Sequence, residues 1–259
     1  MLGDRRNHGL SPIPGAVELV AMLRKDGVAV GVLTNGTTRR PAAQAGVLRH
    51  LGFDLDDHQV LTPASSAAEV CRRAGHRRVM VLGGEGVYGP LADAGIEVVP
   101  PEGRPEVDAV LVGWFREFTM DHLEAAANAV WAGAAFYSAS QSRFFATADG
   151  RALGTSRAIC AVVTDLTGVR PTIVGKPSPA ALRTAADRLG VRRRRDLAVI
   201  GDDPELEVPM ARRGGAFAVA VNSGTGHAGA FDHLGEHRRP HLVVEGVGEL
   251  LQLYRDGTG

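Results

Sequence analysis

Leu197-Ala198-Val199-Ile200-Gly201-Asp202-Asp203 is an apolar run that ends in two carboxylates. An unbroken apolar run of this length reads as a strand. Carboxylates at the end of such a strand are costly unless donors or a cation compensate. Helical patterning follows at 205–213, and 216–221 is apolar again. Strand, helix and strand in succession is the unit of an α/β fold with a mostly parallel sheet. In open sheets of that kind, ligands bind beyond the carboxyl ends of the strands.

The same alternation extends outward from this stretch. Residues 14–26 read as a helix opened by Pro14, and 28–33 as a buried strand ended by the turn Thr34-Asn35-Gly36. A helix is expected to about Leu51, then strand 78–82, helix 87–94 and strands 96–99 and 108–113. An amphipathic helix 119–132, a strand 134–138 and a polar segment 139–153 with short strands come next. Helix 155–166, strand 172–174 and helix 178–190 precede the opening run, and strand 241–244 and helix 246–255 close the chain.

The chain has 259 residues with 29 basic and 29 acidic side chains. That balance argues against a nucleic-acid partner, which selects for a basic face. The cluster Arg192–Arg195 reads as a solvated loop. No segment approaches the ~18 apolar residues needed to cross a membrane, and the first residues have no apolar signal region. Cys71 and Cys160 lie outside any CxxC pattern, so neither a disulfide framework nor a thiolate metal site is expected. These features imply a cytoplasmic protein of one large or two modest domains.

Three strand ends carry candidate chemistry. Thr34, Asn35 and Gly36 offer a hydroxyl, an amide and a backbone N–H to a phosphate, or make an ordinary turn. In Gly175-Lys176-Pro177-Ser178-Pro179, Lys176 sits before a helix start, which suits an anion; a solvated turn lysine is the alternative. Asp202, Asp203, Glu205 and Glu207 offer oxygen ligands suited to Mg²⁺. Acids favouring a helix dipole are the other reading, and it explains the glutamates better than Asp202.

In order, spacing and strand context, these three ends resemble the second, third and fourth motifs of the haloacid dehalogenase (HAD) superfamily. The resemblance is to its NagD-like and p-nitrophenylphosphatase-like members with a type-2 cap. Pro12-Ile13-Pro14-Gly15-Ala16 and the run from Gly168 to Pro179 support it. It implies a Rossmann-like parallel-sheet core at 5–61 plus 172–259 and an inserted α/β cap at 62–171. It further implies a phosphatase that acts through an aspartyl-phosphate on a small phosphorylated metabolite. Thr34 and Asn35 would bind the phosphoryl group, Lys176 would offset its charge and Asp202 would hold Mg²⁺. The next acid in the family lies one or five positions on, here Asp203 or Glu207; Asp203 is favoured as the direct participant, with Glu207 in support. The oligomeric state is left open, with a homodimer as one option because caps of this type often assist dimerisation in relatives.

Two departures follow from the same resemblance. Relatives carry Ala-Thr-Asn-Pro-Asp where this chain has Ser138-Ala139-Ser140-Gln141-Ser142. The acid is lost there, and Ser140, Gln141, Ser142 and Arg143 become candidates for contact with the leaving group; an ordinary surface loop is the other reading. Trp114 and Phe115 are expected in core packing, with a place at the cap interface as the alternative. The family nucleophile motif, Asp-x-Asp-Gly-Thr, has no counterpart before Pro14: Asp4 is the sole acid there, and Arg6 stands where a second aspartate is needed. Met1-Leu2-Gly3-Asp4 resembles the run that follows that motif in relatives, so the natural chain is expected to start upstream. Without the motif's strand, neighbouring strands keep unsatisfied groups at about 1–3 kcal/mol each. The alternatives are a catalytically inactive phosphate-binding or regulatory homologue, or a strand donated by a partner.

A dinucleotide-binding oxidoreductase is the remaining rival. Gly84-Glu85-Gly86-Val87-Tyr88-Gly89 matches GxGxxG after a strand and into a helix. The next strand, however, ends without the acid that reads a ribose, since Glu97 lies inside it.

Overall fold

A computed structural model describes residues 11–147, 150–223 and 229–258. Asp4 and Arg6 lie outside the described residues. The first elements are α1 (Ala16–Lys25), β1 (Val32–Leu33), α2 (Pro41–His50), β2 (Val60–Leu61), α3 (Pro63–Ala74), β3 (Arg78–Leu82), α4 (Glu85–Asp93) and β4 (Glu97–Val99). Next come β5 (Ala109–Val112), α5 (Met120–Trp131), β6 (Ala135–Ser138), the hairpin β7 (Phe144–Thr147) and β8 (Gly150–Leu153), and α6 (Thr155–Thr167). Then follow β9 (Thr172–Ile173), α7 (Pro179–Arg188), β10 (Ala198–Gly201), α8 (Glu207–Gly214), β11 (Phe217–Val221), β12 (Leu242–Val244) and α9 (Val247–Thr258).

The chain divides into two compact units. One holds residues 1–32, 45–59 and 185–259, and the other 33–44 and 60–184. The divisions fall at 59/60 and 184/185, and residues 33–44 group with the central segment.

The second unit contains a parallel sheet in the order β4-β3-β5-β6-β9. Its strands alternate faces, and the core splits accordingly. Val79, Val81, Ala109 and Leu111 face α3 and α4 through Ala64, Ala67, Cys71, Val87 and Leu91. Met80, Leu82, Val110 and Val112 face α5 and α6 through Leu123, Ala126, Val130, Ile159 and Val163. Period-two alternation with apolar residues on both faces makes β3 and β5 unbroken apolar runs. Phe115 packs against the α5–α6 cluster as expected. Helix α3 escapes the sequence reading, although Thr62-Pro63 marks its start. The Thr62 and Ser65 side chains and N–H groups satisfy each other reciprocally there, with Pro63 in the first turn.

The first unit contains the parallel sheet β10-β11-β12. Ala218, Val219, Ala220 and Val221 on its central strand are buried. Among the described residues, β10 pairs with β11 alone, and Ile200 on it is 38% exposed. The expected buried strand at 28–33 is corrected here: only Val32–Leu33 is strand, and Val28 is 43% exposed. A strand is buried on both faces only where sheet neighbours and covering layers enclose it. At 28–31 the Val28 N–H bonds back to the Leu23 carbonyl, Gln59 Nε2 donates to the Val30 carbonyl, and Leu189 lies against Gly31.

Candidate functional site

In the second unit the strands β3, β5, β6 and β9 end together, with Leu82 beside Val112, Val112 beside Ser138, and Ser138 beside Ile173. Thr34, Asn35 and Lys176 meet at this end. The Asn35 Nδ2 donates to the Lys176 carbonyl (3.1 Å), and the Asn35 Oδ1 accepts the Lys176 N–H (2.9 Å). An asparagine side chain reproduces both halves of a strand pairing in this way, and one N–H of its amide remains for a ligand. Thr34 is anchored through its N–H to the Leu61 carbonyl, while its Oγ1 accepts the Gly36 N–H (3.1 Å). The Thr34 hydroxyl proton is thereby left to donate, whereas the Gly36 N–H is engaged inside the turn.

Gly175 explains why the two segments approach so closely. A Cβ there would lie 2.3 Å from the Ala139 carbonyl oxygen and 2.9 Å from Asn35 Oδ1. After Gly175, the Lys176–Pro177 peptide is cis, and the Ser178 hydroxyl accepts the Ala180 N–H at the start of α7. Lys176 is 9% exposed. A cation that buried favours anionic company.

The specificity candidates follow directly after β6. Ser140 is 5% exposed, donates to Ser142 Oγ (3.1 Å) and accepts the Ser142 N–H. The Gln141 amide turns inward and donates to Ser138 Oγ (2.9 Å), and the Ser138 hydroxyl donates to the Ser140 carbonyl. Gln141 therefore shapes the loop from within. Arg143 is exposed. The sequence reading passed over Ser138 because a single hydroxyl at a strand end carries no local signal.

In the GxGxxG run, packing explains Gly86 and Gly89, while a Cβ on Gly84 would meet nothing within 4 Å. The order β4-β3-β5 makes the ends of β3 and β5 a switch point, where doubly wound sheets bind ligands. Residues 37–40 occupy it. Trp114 N–H donates to Thr37 Oγ1, and the Gly86 Cα lies so close that a Cβ would meet the Thr37 carbonyl oxygen at 2.4 Å. Arg40 pairs with Glu85 and Asp93 alongside.

In the first unit, Asp202 follows β10 and is 3% exposed. Asp203 Oδ1 accepts the Glu205 N–H (2.7 Å), and Glu207 Oε2 accepts the Asp203 N–H (3.2 Å). The Glu207 stem crosses Gly201 so closely that a Cβ there would lie 2.3 Å from it. Glu207 thus caps the turn that opens α8. Among the described residues no three acids, histidines or cysteines are disposed around one point. The adjoining strand β11 runs into Asn222 and Ser223, whose Oδ1 and Oγ are buried without a hydrogen-bond partner. Buried unpartnered oxygens at the same end of the sheet as a buried carboxylate form a hard-oxygen donor set, which fits Mg²⁺. Asn222 and Ser223 were not singled out in the sequence, since the signal there was an ordinary polar turn.

Residues 7–97 match the family model described as haloacid dehalogenase-like hydrolase, and 173–250 match the HAD-hydrolase-like model. The acid sugar phosphatase of Staphylococcus epidermidis is 28% identical over 217 residues, covering 83% of this chain and 82% of its own. The p-nitrophenyl phosphatase of Archaeoglobus fulgidus superposes with a TM-score of 0.84 at 27% identity, covering 93% of this chain and 92% of its own. A glycerol phosphate phosphatase from Mycobacterium tuberculosis, solved in complex with magnesium, gives 0.84 at 27% identity, covering 96% of this chain and 73% of its own.

Proposed function

This chain belongs to the haloacid dehalogenase-like hydrolases, in the NagD-like and p-nitrophenylphosphatase-like group, and from that premise we propose that it is a Mg²⁺-dependent phosphatase of small phosphorylated metabolites. The observation that carries the reading is the double hydrogen bond between Asn35 and Lys176, which joins the two expected phosphate-binding segments. In this reading the Thr34 hydroxyl and the remaining Asn35 N–H donate to the phosphoryl oxygens. The Lys176 ammonium neutralises charge that builds on them. Asp202 holds Mg²⁺, with Asp203 favoured over Glu207 as its companion. When bound, the metal supplies charge neutralisation to phosphoryl oxygens. The route through an aspartyl-phosphate is the family's. Residues 62–171 serve as the cap over a core of 5–61 and 172–259.

A second reading is a homologue that binds phosphate without turnover. It shares Thr34, Asn35 and Lys176 with the first. Release of p-nitrophenol from p-nitrophenyl phosphate separates the two. The phosphatase reading expects release by the natural full-length protein with Mg²⁺, none with EDTA and none from its Lys176→Ala variant. Phosphate binding by calorimetry without release in any condition would establish the second reading instead. A cytoplasmic location and a homodimer belong to the same proposal. The described residues include no helix long and apolar enough to cross a membrane, and light scattering tests the dimer.

A further inference from the structure

A single residue, Gly36, separates Asn35 from a segment of the second unit that is pinned along its length. Thr37 is 5% exposed, and its Oγ1 accepts the Trp114 N–H (3.1 Å) from 77 positions away. The Trp114 carbonyl in turn accepts the Gly84 N–H (3.3 Å). One residue after β5 thus holds both the glycine run and Thr37. Arg40 lies over Gly89, where a Cβ would stand 2.9 Å from its Nε. Its guanidinium pairs with Glu85 (3.5 Å) and with Asp93, the first and last residues of α4. Val87 fills the space alongside, since a Cβ on Gly83 or Gly113 would meet its side chain at 2.7 or 2.3 Å.

Gly86 and Gly89 therefore admit a main chain and a guanidinium where a doubly wound sheet would admit a ligand. The chain that enters is the continuation of the Thr34-Asn35-Gly36 turn. On its other flank the turn is held by the Thr34 N–H on the Leu61 carbonyl (3.1 Å). Gly36 brings the backbone freedom of glycine to the middle of this stretch, and the clamp just beyond it takes that freedom up. Asn35 depends on it most. Its Oδ1 and one N–H are committed to Lys176, so the direction of its remaining N–H follows the backbone. Donors fixed before an anion arrives bind it more tightly, because no ordering accompanies binding.

We propose that Thr37 and Arg40 are positioning residues for phosphate. They clamp residues 37–40 onto the ends of β3 and β5 and onto α4, and so hold the Thr34 hydroxyl and the remaining Asn35 N–H in the directions that meet an anion. Both act through the turn and neither touches the phosphate. The GxGxxG run is the seat of this clamp, which gives it a part in phosphate binding without a nucleotide of its own. This inference rests on Thr34, Asn35 and Lys176 binding the phosphate.

Titration calorimetry with inorganic phosphate on the full chain tests it, well below the melting temperature of each variant. There a loss of stability alone leaves the dissociation constant where it was. Thr37→Val keeps the shape and removes the acceptor for the Trp114 N–H. It is expected to bind phosphate about 5-fold more weakly, the size of one neutral hydrogen bond. Thr37→Ser restores the hydroxyl and is expected to bind as the parent does. Arg40→Gln, at a half-exposed position, loosens the far end of the clamp without entering the core, and about 3-fold weaker binding is expected. Parent-like binding by a folded Thr37→Val overturns the clamp, as does a Thr37→Ser as weak as Thr37→Val. Should Thr37→Val not fold, parent-like binding by Arg40→Gln overturns it instead. A parent chain that binds no phosphate overturns the reading of Thr34, Asn35 and Lys176 and the clamp's role with it, a pattern distinct from parent and variants binding equally.

Discussion

Asn35 and Lys176 are 141 positions apart in the chain, yet the side chain of one grips the main chain of the other through both its donor and its acceptor. The grip fixes the lysine's backbone at the carboxyl end of the sheet, so the direction of its ammonium depends on an amide from another segment. Asn35→Ala is expected to leave the Lys176 N–H unpaired at a cost of about 1–3 kcal/mol and to weaken phosphate binding. Asn35→Asp keeps the acceptor and loses the donor, so its loss of stability is expected to be smaller. Denaturant unfolding and phosphate calorimetry on both variants check this ordering.

Gly86 admits no side chain where residues 37–39 cross it. A Cβ would meet the Thr37 carbonyl oxygen at 2.4 Å and the Arg39 nitrogen at 2.6 Å, both main-chain atoms that cannot turn aside. Gly86→Ala is expected to lower stability by about 1–3 kcal/mol, the usual cost of overpacking. Thermal unfolding reads this directly. A variant as stable as the parent would mean that the 37–39 segment does not pack there.

Burial pushes the Cys71 thiol up to about 12 and the Cys160 thiol up to about 11. Both groups hold their protons more tightly in the folded chain than in the unfolded one, where a thiol titrates near pH ~8.5. Their contribution to stability is therefore complete below the unfolded value and is lost as pH rises toward the folded ones. The melting temperature is expected to fall above pH ~9 on these grounds. A disulfide reagent at pH 8 is expected to label neither cysteine until denaturant is added.

Asp108 accepts the N–H groups of Arg78 and Arg77 at the head of β3, and those bonds hold its carboxyl below the usual carboxylate range. A depressed carboxyl stabilises the fold above its unfolded pKa, and that support is lost as pH falls through the folded value. Asp108→Ala is expected to lower the melting temperature at pH 7 by a few degrees, on the order of 1 kcal/mol of lost hydrogen bonding. The gap between variant and parent is expected to narrow as pH falls below the ordinary carboxylate range. Melting curves across pH 2–7 (the range of ordinary carboxyl titration) measure it.

Asp202 is the buried acid at the end of β10. Asp202→Asn keeps its shape and removes its charge, so loss of Mg²⁺ is expected with the fold intact. Mn²⁺ binding followed by electron paramagnetic resonance, alongside circular dichroism, reports both. Unchanged Mn²⁺ binding would assign the metal to other residues.

The chain sequence by itself determined the α/β alternation, because buried parallel strands must be continuous apolar runs and their ends must be polar. It marked Thr34, Asn35, Lys176 and Asp202 for the same reason: each is a polar residue directly after such a run. Helix α3 was missed although Thr62-Pro63 opens it, since its buried face is mostly alanine and serine, which carry little apolar signal. Whether the run at 28–33 is buried could not be read from its residues, because burial depends on which strands stand beside it. Only the tertiary structure decided that the Gly84–Gly89 run packs against residues 37–40 instead of leaving the crevice open. It alone turned Gln141 inward, set Glu207 to cap Asp203, and set the start of α6 beside the loop after β6. Each of these is a contact between segments far apart in the chain. Local composition sets which groups are available for such contacts, and the packing of whole elements sets which of them meet.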